Sequence, residues 1–309
     1  MTPRDPSPPP AAVAFRRSLL DRAKNAERRD PALDVQSRLR LFCYDRLLVR
    51  VFSHPAAAGS WVLKGATSLL TRLPLARSSY DVDLATRQTI DEARVFLRDA
   101  AGADLGDHLQ YRIEDLGELS GRTRGLRTRA VATCAGRLLS SFHVDVAITT
   151  ELPAELDRAR PLRAIDVPGL ASLDYPAWPL PNAVADKVAA TYEVHARQPS
   201  TRYRDLVDLY LIARGAELEA SRLEEAMQRE FDRRRLAWPE EFAVPDVDDW
   251  KRGWRRVVGE VEPIADVAFD DAMHVAKALL DPTFAGSAAG LWDPTALNWV
   301  ALDDPGHRH

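Results

Sequence analysis

Between Trp61 and Leu84 the chain reads WVLKGATSLLTRLPLARSSYDVDL, and its last four residues constrain the fold most. Asp81 and Asp83 alternate with Val82 and Leu84, so a strand here sends both carboxylates to one face and both apolar side chains to the other. Two carboxylates projecting together are a means of aiming two oxygen ligands at one hard cation. Upstream, Trp61-Val62-Leu63 predicts a short apolar strand that turns at Lys64-Gly65-Ala66-Thr67-Ser68. Gly65 lets backbone N–H groups approach a ligand, a helix starting at Thr67 or Ser68 adds partial positive charge, and the two hydroxyls add donors, all suited to phosphate. The cradle stands 16 positions before Asp81. A phosphate cradle followed by a paired-carboxylate strand is the layout of nucleotidyl transfer. Each half alone has a plain alternative, a solvated DxD turn or an ordinary glycine turn, and the conjunction carries the reading.

Lys64-Gly65-x-Thr67 followed by Arg77-x-Ser79-x-Asp81-x-Asp83-Leu84 resembles the first motif of the AbiEii/AbiGii-type nucleotidyltransferase toxins. These belong to the DNA polymerase β-like nucleotidyltransferase superfamily and include mycobacterial tRNA-modifying toxins. One departure is Ala66, where the family usually carries Gly or Ser, so that hydroxyl contacts fall to Thr67 or Ser68. The resemblance implies an α+β fold, a polymerase β-like nucleotidyltransferase lobe with a mixed sheet and flanking helices, plus a C-terminal helical lobe.

The 309 residues are 46% hydrophobic, enough for one large domain or two of ordinary size. A net charge of −4 advertises no nucleic acid globally, and no DNA readout motif is present. Cys43 and Cys134 have neither zinc spacing nor a disulfide framework and read as buried small residues. No stretch reaches the roughly 20 apolar residues of a membrane span, and the N-terminus lacks a signal pattern, so a cytoplasmic protein is expected.

Residues 1–11 are Pro-rich and read as a disordered tail. Residues 12–165 are expected to form the nucleotidyltransferase lobe. Its helical brace is Phe15–Asn25 and Leu33–Phe52, the latter with Leu39, Cys43, Leu47 and Val51 at helical spacing. A helix over Ile90–Ala101, a strand over His108–Ile113, a polar loop at Leu116–Arg124 and a hairpin of Leu126–Cys134 with Arg137–Ile148 follow. Composition shifts across Pro153–Pro181, and residues 166–309 are expected to be a helical lobe completing the active site. There Asn182 caps a helix over Ala183–Val194, others span Arg202–Ala213, Leu218–Arg235, Asp249–Val261 and Ile264–Leu280, and the tail beyond Asp281 is irregular.

Asp145 is the lone carboxylate in the apolar run Phe142–Ile148, either a buried Asp taking backbone N–H groups or, by resemblance, the superfamily's third metal ligand. His143 shares its face but is not assigned as a ligand, since magnesium prefers oxygen. Ala185-Asp186-Lys187 and Arg204-Asp205-Leu206-x-Asp208-Leu209 resemble the family's later motifs. Read without the resemblance, Lys187 is a snorkelling surface lysine and Arg204/Asp208 an i,i+4 pair.

The resemblance implies transfer of NMP from an NTP to a hydroxyl with release of pyrophosphate. Asp81, Asp83 and Asp145 would hold two Mg²⁺ (or Mn²⁺) ions. Lys64, Gly65, Ala66, Thr67 and Ser68, with Arg77, would bind the nucleotide, and Lys187 would contact the leaving pyrophosphate. Asp205, with Asp208 as the alternative, matches the last catalytic acid. The implied partners are a tRNA 3′ end and a separately encoded antitoxin. A protein or antibiotic acceptor on the same fold, or a non-catalytic nucleotide-binding module, are the competing readings, and the filled acidic positions weigh against the last. Arg127 and Arg129 share a face of the hairpin strand beside Asp145 and are expected to meet RNA phosphates. The runs Arg233–Arg235 and Lys251–Arg256 read more simply as solvated faces.

Overall fold

The computed structural model describes residues 10–73, 81–119, 124–194, 198–259, 261 and 264–301. Residues 1–9, Arg77 and Ser79 lie outside this set. The fold is α+β, and the chain forms two compact units, the first of residues up to Ala177 apart from a short segment at Leu73, the second from Trp178 onward. The first runs past the 165/166 division expected from composition because two short strands hidden in the Pro-rich connection add to its sheet.

That sheet has seven strands. They are β1 (Trp61–Lys64), β2 (Asp81–Thr86), β3 (Leu109–Glu118), β4 (Gly125–Cys134), β5 (Arg137–Ile148), β6 (Asp157–Ala159) and β7 (Tyr175–Ala177), in the order β3-β4-β5-β2-β1-β7-β6. β2/β5 and β1/β7 are parallel and the other pairs antiparallel, so the sheet is mixed. β3 extends through residues expected to be loop, with an irregularity between Asp115 and Gly117 that lets it stay paired to β4. The β4–β5 turn is Ala135-Gly136, both at positive φ (52° and 68°), which suits the right-handed twist of a hairpin. β5 then carries one extra residue, because the register shifts between Ala132 and Thr133.

Helices α1 (Pro10–Arg29) and α2 (Val35–Ser53) form the brace. α1 begins at Pro10, inside the stretch read as a tail, since the missing proline N–H costs nothing in a first turn. α2 lies against β5 and β7 and buries Leu39, Cys43, Leu47 and Val51 as its spacing predicts. It also buries Arg46 and Arg50, which the spacing does not reveal. Arg50 meets both oxygens of Asp107 (2.9 and 2.7 Å) and Arg46 adds a third bond at 2.7 Å. The short α3 (Gly65–Leu70) starts at Gly65, two or three residues earlier than the expected Thr67 or Ser68. α4 (Ile90–Ala101) falls on its expected bounds, fixed by a Thr89/Glu92 capping box.

The second unit contains α5 (Leu180–Tyr192), α6 (Tyr203–Gly215), α7 (Ala220–Arg234), α8 (Val247–Val258) and α9 (Phe269–Phe284). α5 begins ahead of Asn182, with Pro181 in its first turn, so Asn182 is not its cap. The tail expected to be irregular forms a hairpin, β8 (Leu291–Asp293) with β9 (Asn298–Val300). Its Trp292 is fully buried and donates to the Ala213 carbonyl, anchoring the hairpin to the end of α6. No helix among the described residues is long and apolar enough to cross a membrane.

Candidate active site

Strand register assembles the charged face of the first unit. β1 sets Lys64 opposite Asp83, β2 sets Asp83 beside Asp145, and β4 sets Arg127 opposite Asp145. Residues paired across neighbouring strands share a face, so these four form a row running cation, carboxylate, carboxylate, cation. The next row along the strands holds Asp81, His143 and Arg129. The opposite face carries Val82, Leu84, Val144 and Val146, each no more than 1% exposed. The alternation read from Asp81–Leu84 is thus the division between a polar face and the core.

Gly65 is bound sterically to this face. It adopts φ +62°, and a Cβ placed on it would lie 1.9 Å from Asp83 Oδ2. Only glycine allows the turn and the carboxylate to approach this closely. Thr67 and Ser68 are buried, and the Thr67 hydroxyl donates to the Asp81 carbonyl at 2.7 Å while Ser68 Oγ accepts from Arg72 at 2.9 Å. Both hydroxyls, expected to face a nucleotide, are engaged in holding α3 and its surroundings. Ala66 is buried beside them.

Arg127 makes a two-pronged contact with Asp145, Nε to Oδ1 at 2.9 Å and Nη2 to Oδ2 at 2.5 Å. The hydrogen bond to this carboxylate holds the Arg127 guanidinium above its ordinary pKa. Arg127 is expected to meet RNA phosphate; here its fork is turned on Asp145, and Arg129 makes a long ion pair to Glu114 at 3.8 Å. Asp81 meets His143 Nδ1 at 3.3 Å. As the side chains stand, no group of three or more Asp, Glu, His or Cys among the described residues forms a metal site. The donor set nevertheless suits a hard cation, because three carboxylates at neighbouring register positions share one face.

In the second unit, Lys187 of α5 sits between two carboxylates of α6, donating to Asp205 at 3.2 Å and to Asp208 at 2.5 Å. Its side chain is 13% exposed, so it does not snorkel to solvent. Asp205 also accepts from Arg202 at 2.5 Å. Sequence spacing shows that Asp205 and Asp208 lie one turn apart, but only packing reveals that one lysine serves both. Lys187→Ala would remove one cationic partner from each of two buried carboxylates, a loss at the low end of the roughly 3–5 kcal/mol for breaking a buried pair, since Arg202 still supports Asp205. The expected lowering of the thermal midpoint should be partly restored by Lys187→Arg, whose fork fits a two-carboxylate site differently. An unchanged midpoint in the alanine variant would show the pairing to be dispensable.

The first unit thus presents a mixed sheet with paired carboxylates beside a glycine turn. The family model "Nucleotidyl transferase AbiEii toxin, Type IV TA system" matches residues 46–275. The chain belongs to the AbiEii family and is a nucleotidyltransferase toxin of a toxin–antitoxin system. Among solved structures it is similar to MenT4, a nucleotidyltransferase toxin from Mycobacterium tuberculosis, with a TM-score of 0.46 and 19% identity over 86% of this chain and 97% of that one. It is also similar to JHP933 from Helicobacter pylori, with a TM-score of 0.46 and 16% identity over 78% and 90% of the two chains. No curated protein matches it.

Proposed function

We propose that the protein transfers a nucleoside monophosphate from an NTP to an RNA hydroxyl, the 3′ end of tRNA, with release of pyrophosphate. The row formed by Lys64, Asp83 and Asp145, with Asp81 one step along β2, is the observation that carries the reading. Asp81, Asp83 and Asp145 would hold divalent ions, Mg²⁺ or Mn²⁺, which supply Lewis-acid stabilisation of the displaced phosphoryl group. Lys64 and the backbone at Gly65 bind and orient the triphosphate. Arg127 holds Asp145 in place between turnovers. By resemblance, Lys187 contacts the leaving pyrophosphate and Asp205, or Asp208, is the last acid of the site. An RNA acceptor is supported by the likeness of the four motifs to those of tRNA-modifying members. The protein acts in the cytoplasm, where tRNA and NTP meet, and a separately encoded antitoxin restrains it.

The test is incubation of labelled NTP with total RNA and, separately, with cell protein. Label in RNA is expected, and label in protein alone would shift the acceptor to a protein. Asp81→Asn and Asp83→Asn should each lower incorporation by at least roughly a hundredfold, since one ligand of a metal clamp is worth several kcal/mol. Near-normal incorporation by either folded variant would remove these carboxylates from the chemistry.

A further inference from the structure

Helix α1 concentrates positive charge. Its 20 residues hold six Lys and Arg against two acids, in a chain whose net charge is −4. One stripe of the helix, with Ala12, Leu19 and Ala23, is buried. A second stripe runs at helical spacing from Pro10 through Arg17 and Arg22 to Arg29 and lines a groove of about 1250 Å³. The facing wall is Arg38 of α2 with Arg163, Ala164 and Asp166 from the connection between β6 and β7. α2 packs on the apolar face of the sheet, where its Tyr44 meets Phe142 edge-on at 4.5 Å. The groove and the carboxylates Asp81, Asp83 and Asp145 therefore belong to opposite faces of the first unit.

That wall is held in place. Asp45, buried on α2, accepts the N–H groups of Leu162 (2.9 Å) and Arg163 (2.8 Å) and the Tyr175 hydroxyl (3.1 Å). Arg163 thereby sits at φ +46°, in the left-handed region that favours glycine over arginine. Arg22 reaches from α1 to the Asp166 carbonyl at 3.1 Å, and Arg38 is engaged by Asp30 and the Leu33 carbonyl. Arg17, Arg29 and Arg163 differ, because among the described residues no acceptor meets their side chains. Five arginines line the groove against three acids, Asp21, Asp30 and Asp166. Arg17 and Arg29 stand about 18 Å apart along the helix axis, at 1.5 Å per residue. Guanidinium groups spread along a groove complement a chain of phosphates better than a single anion. The lining has no aromatic side chain, and Val13 is its largest apolar one. It thus offers neither a hydrophobic anchor for a protein nor a platform for unstacked bases. A base-paired stem, which presents its backbone outward, needs neither.

We infer that the groove along α1 holds the phosphate backbone of a base-paired RNA stem through Arg17, Arg29 and Arg163. The choice of RNA over DNA rests on the RNA acceptor proposed above. None of the three arginines has a part in the transfer chemistry.

Fluorescence anisotropy of an RNA hairpin ending in a 3′ phosphate, added to the full chain without NTP, tests it. That end has no hydroxyl to accept a nucleotide, so binding is read apart from transfer. Arg17→Gln/Arg29→Gln, at two exposed positions, should bind at least roughly tenfold more weakly, with a log–log salt slope shallower by roughly 0.7–0.9 per lost contact. Lys24→Gln/Arg28→Gln removes the same charge from α1 outside the groove lining and should stay within about threefold of wild type. Asp83→Asn should bind as wild type does. A photo-crosslinking benzoylphenylalanine in place of Val13, which is 50% exposed in the lining, should capture RNA in cells. Arginine-dependent hairpin binding without label transfer to RNA would keep the groove and remove the RNA-transfer reading, and transfer with arginine-independent binding would do the reverse. The inference is overturned if wild type does not bind the hairpin, if Arg17→Gln/Arg29→Gln binds normally, or if Lys24→Gln/Arg28→Gln loses as much. It is equally overturned if Asp83→Asn loses the binding, if a DNA hairpin of the same sequence binds as tightly, or if the crosslinker captures protein alone, which would make the groove a protein interface.

Discussion

Gly65→Ala is expected to lower nucleotide transfer by roughly a hundredfold or more while leaving the fold in place. The added methyl would sit 1.9 Å from Asp83 Oδ2 and 2.5 Å from its Cγ, so the carboxylate must move by more than an ångström. Displacements of that size at a catalytic group cost about two orders of magnitude in rate. The backbone adds a smaller penalty, about 1–2 kcal/mol for a non-glycine residue in the left-handed region. Gly136→Ala separates the two effects. Gly136 has φ +68° and nothing within 4 Å of its would-be Cβ, so it carries the backbone strain alone. Similar losses of stability in both variants, with activity lost only at position 65, is the expected pattern. Full activity in a folded Gly65→Ala protein would mean that the approach of turn and carboxylate is not part of the site.

The largest stability effect is expected at Asp107. Its carboxylate is wholly buried between Arg50 and Arg46, with Arg50 also wholly buried and stacked over Tyr111 at 5.0 Å. Asp107→Asn keeps the shape but leaves two buried guanidinium groups short of their counter-charge, at a cost of about 3–5 kcal/mol. For a unit of this size that lowers the thermal midpoint by roughly 6–20 °C, readable by circular dichroism. Burial would raise the Asp107 pKa, but the two arginines, Arg50 foremost, outweigh it and hold the carboxyl below its usual range. A carboxylate lowered in the folded state contributes fully above the unfolded carboxylate pKa, near 4, and less as pH falls through and below that value. The difference in stability between wild type and Asp107→Asn should therefore shrink in acid. A constant difference between pH 7 and pH 3 would contradict the ionic origin of the effect.

Much of the candidate site is legible in the sequence because its cause is local. The alternation of Asp81–Leu84 sets the two faces of β2, and Thr89 with Glu92 fixes the start of α4. What is not legible depends on partners distant in sequence. Helical spacing on α2 marks its apolar residues, but nothing nearby tells that Arg46 and Arg50 point inward to Asp107, some 60 positions on. β6, β7 and the β8–β9 hairpin have only three residues per strand, too few to show a period, and are held by neighbours and by Trp292. Lys187 is readable as a motif member, whereas its place between two acids follows from the packing of α5 on α6.

The extra residue in β5 ties the geometry of one turn to the chemistry of the face. Counted from the Ala135-Gly136 turn without interruption, Arg127 would meet Val144, and Leu126 would stand beside Asp145. With the shift, Arg127 meets Asp145, and Leu126 meets Val146 in the core. Parity is thus a functional property of this hairpin. Gaining or losing two residues between the turn and Asp145 preserves which side chains lie on the charged face, whereas gaining or losing one exchanges the inside of the sheet for the outside. Length variation among chains that keep this site should consequently come in even steps here, or in single steps matched by the creation or erasure of a bulge.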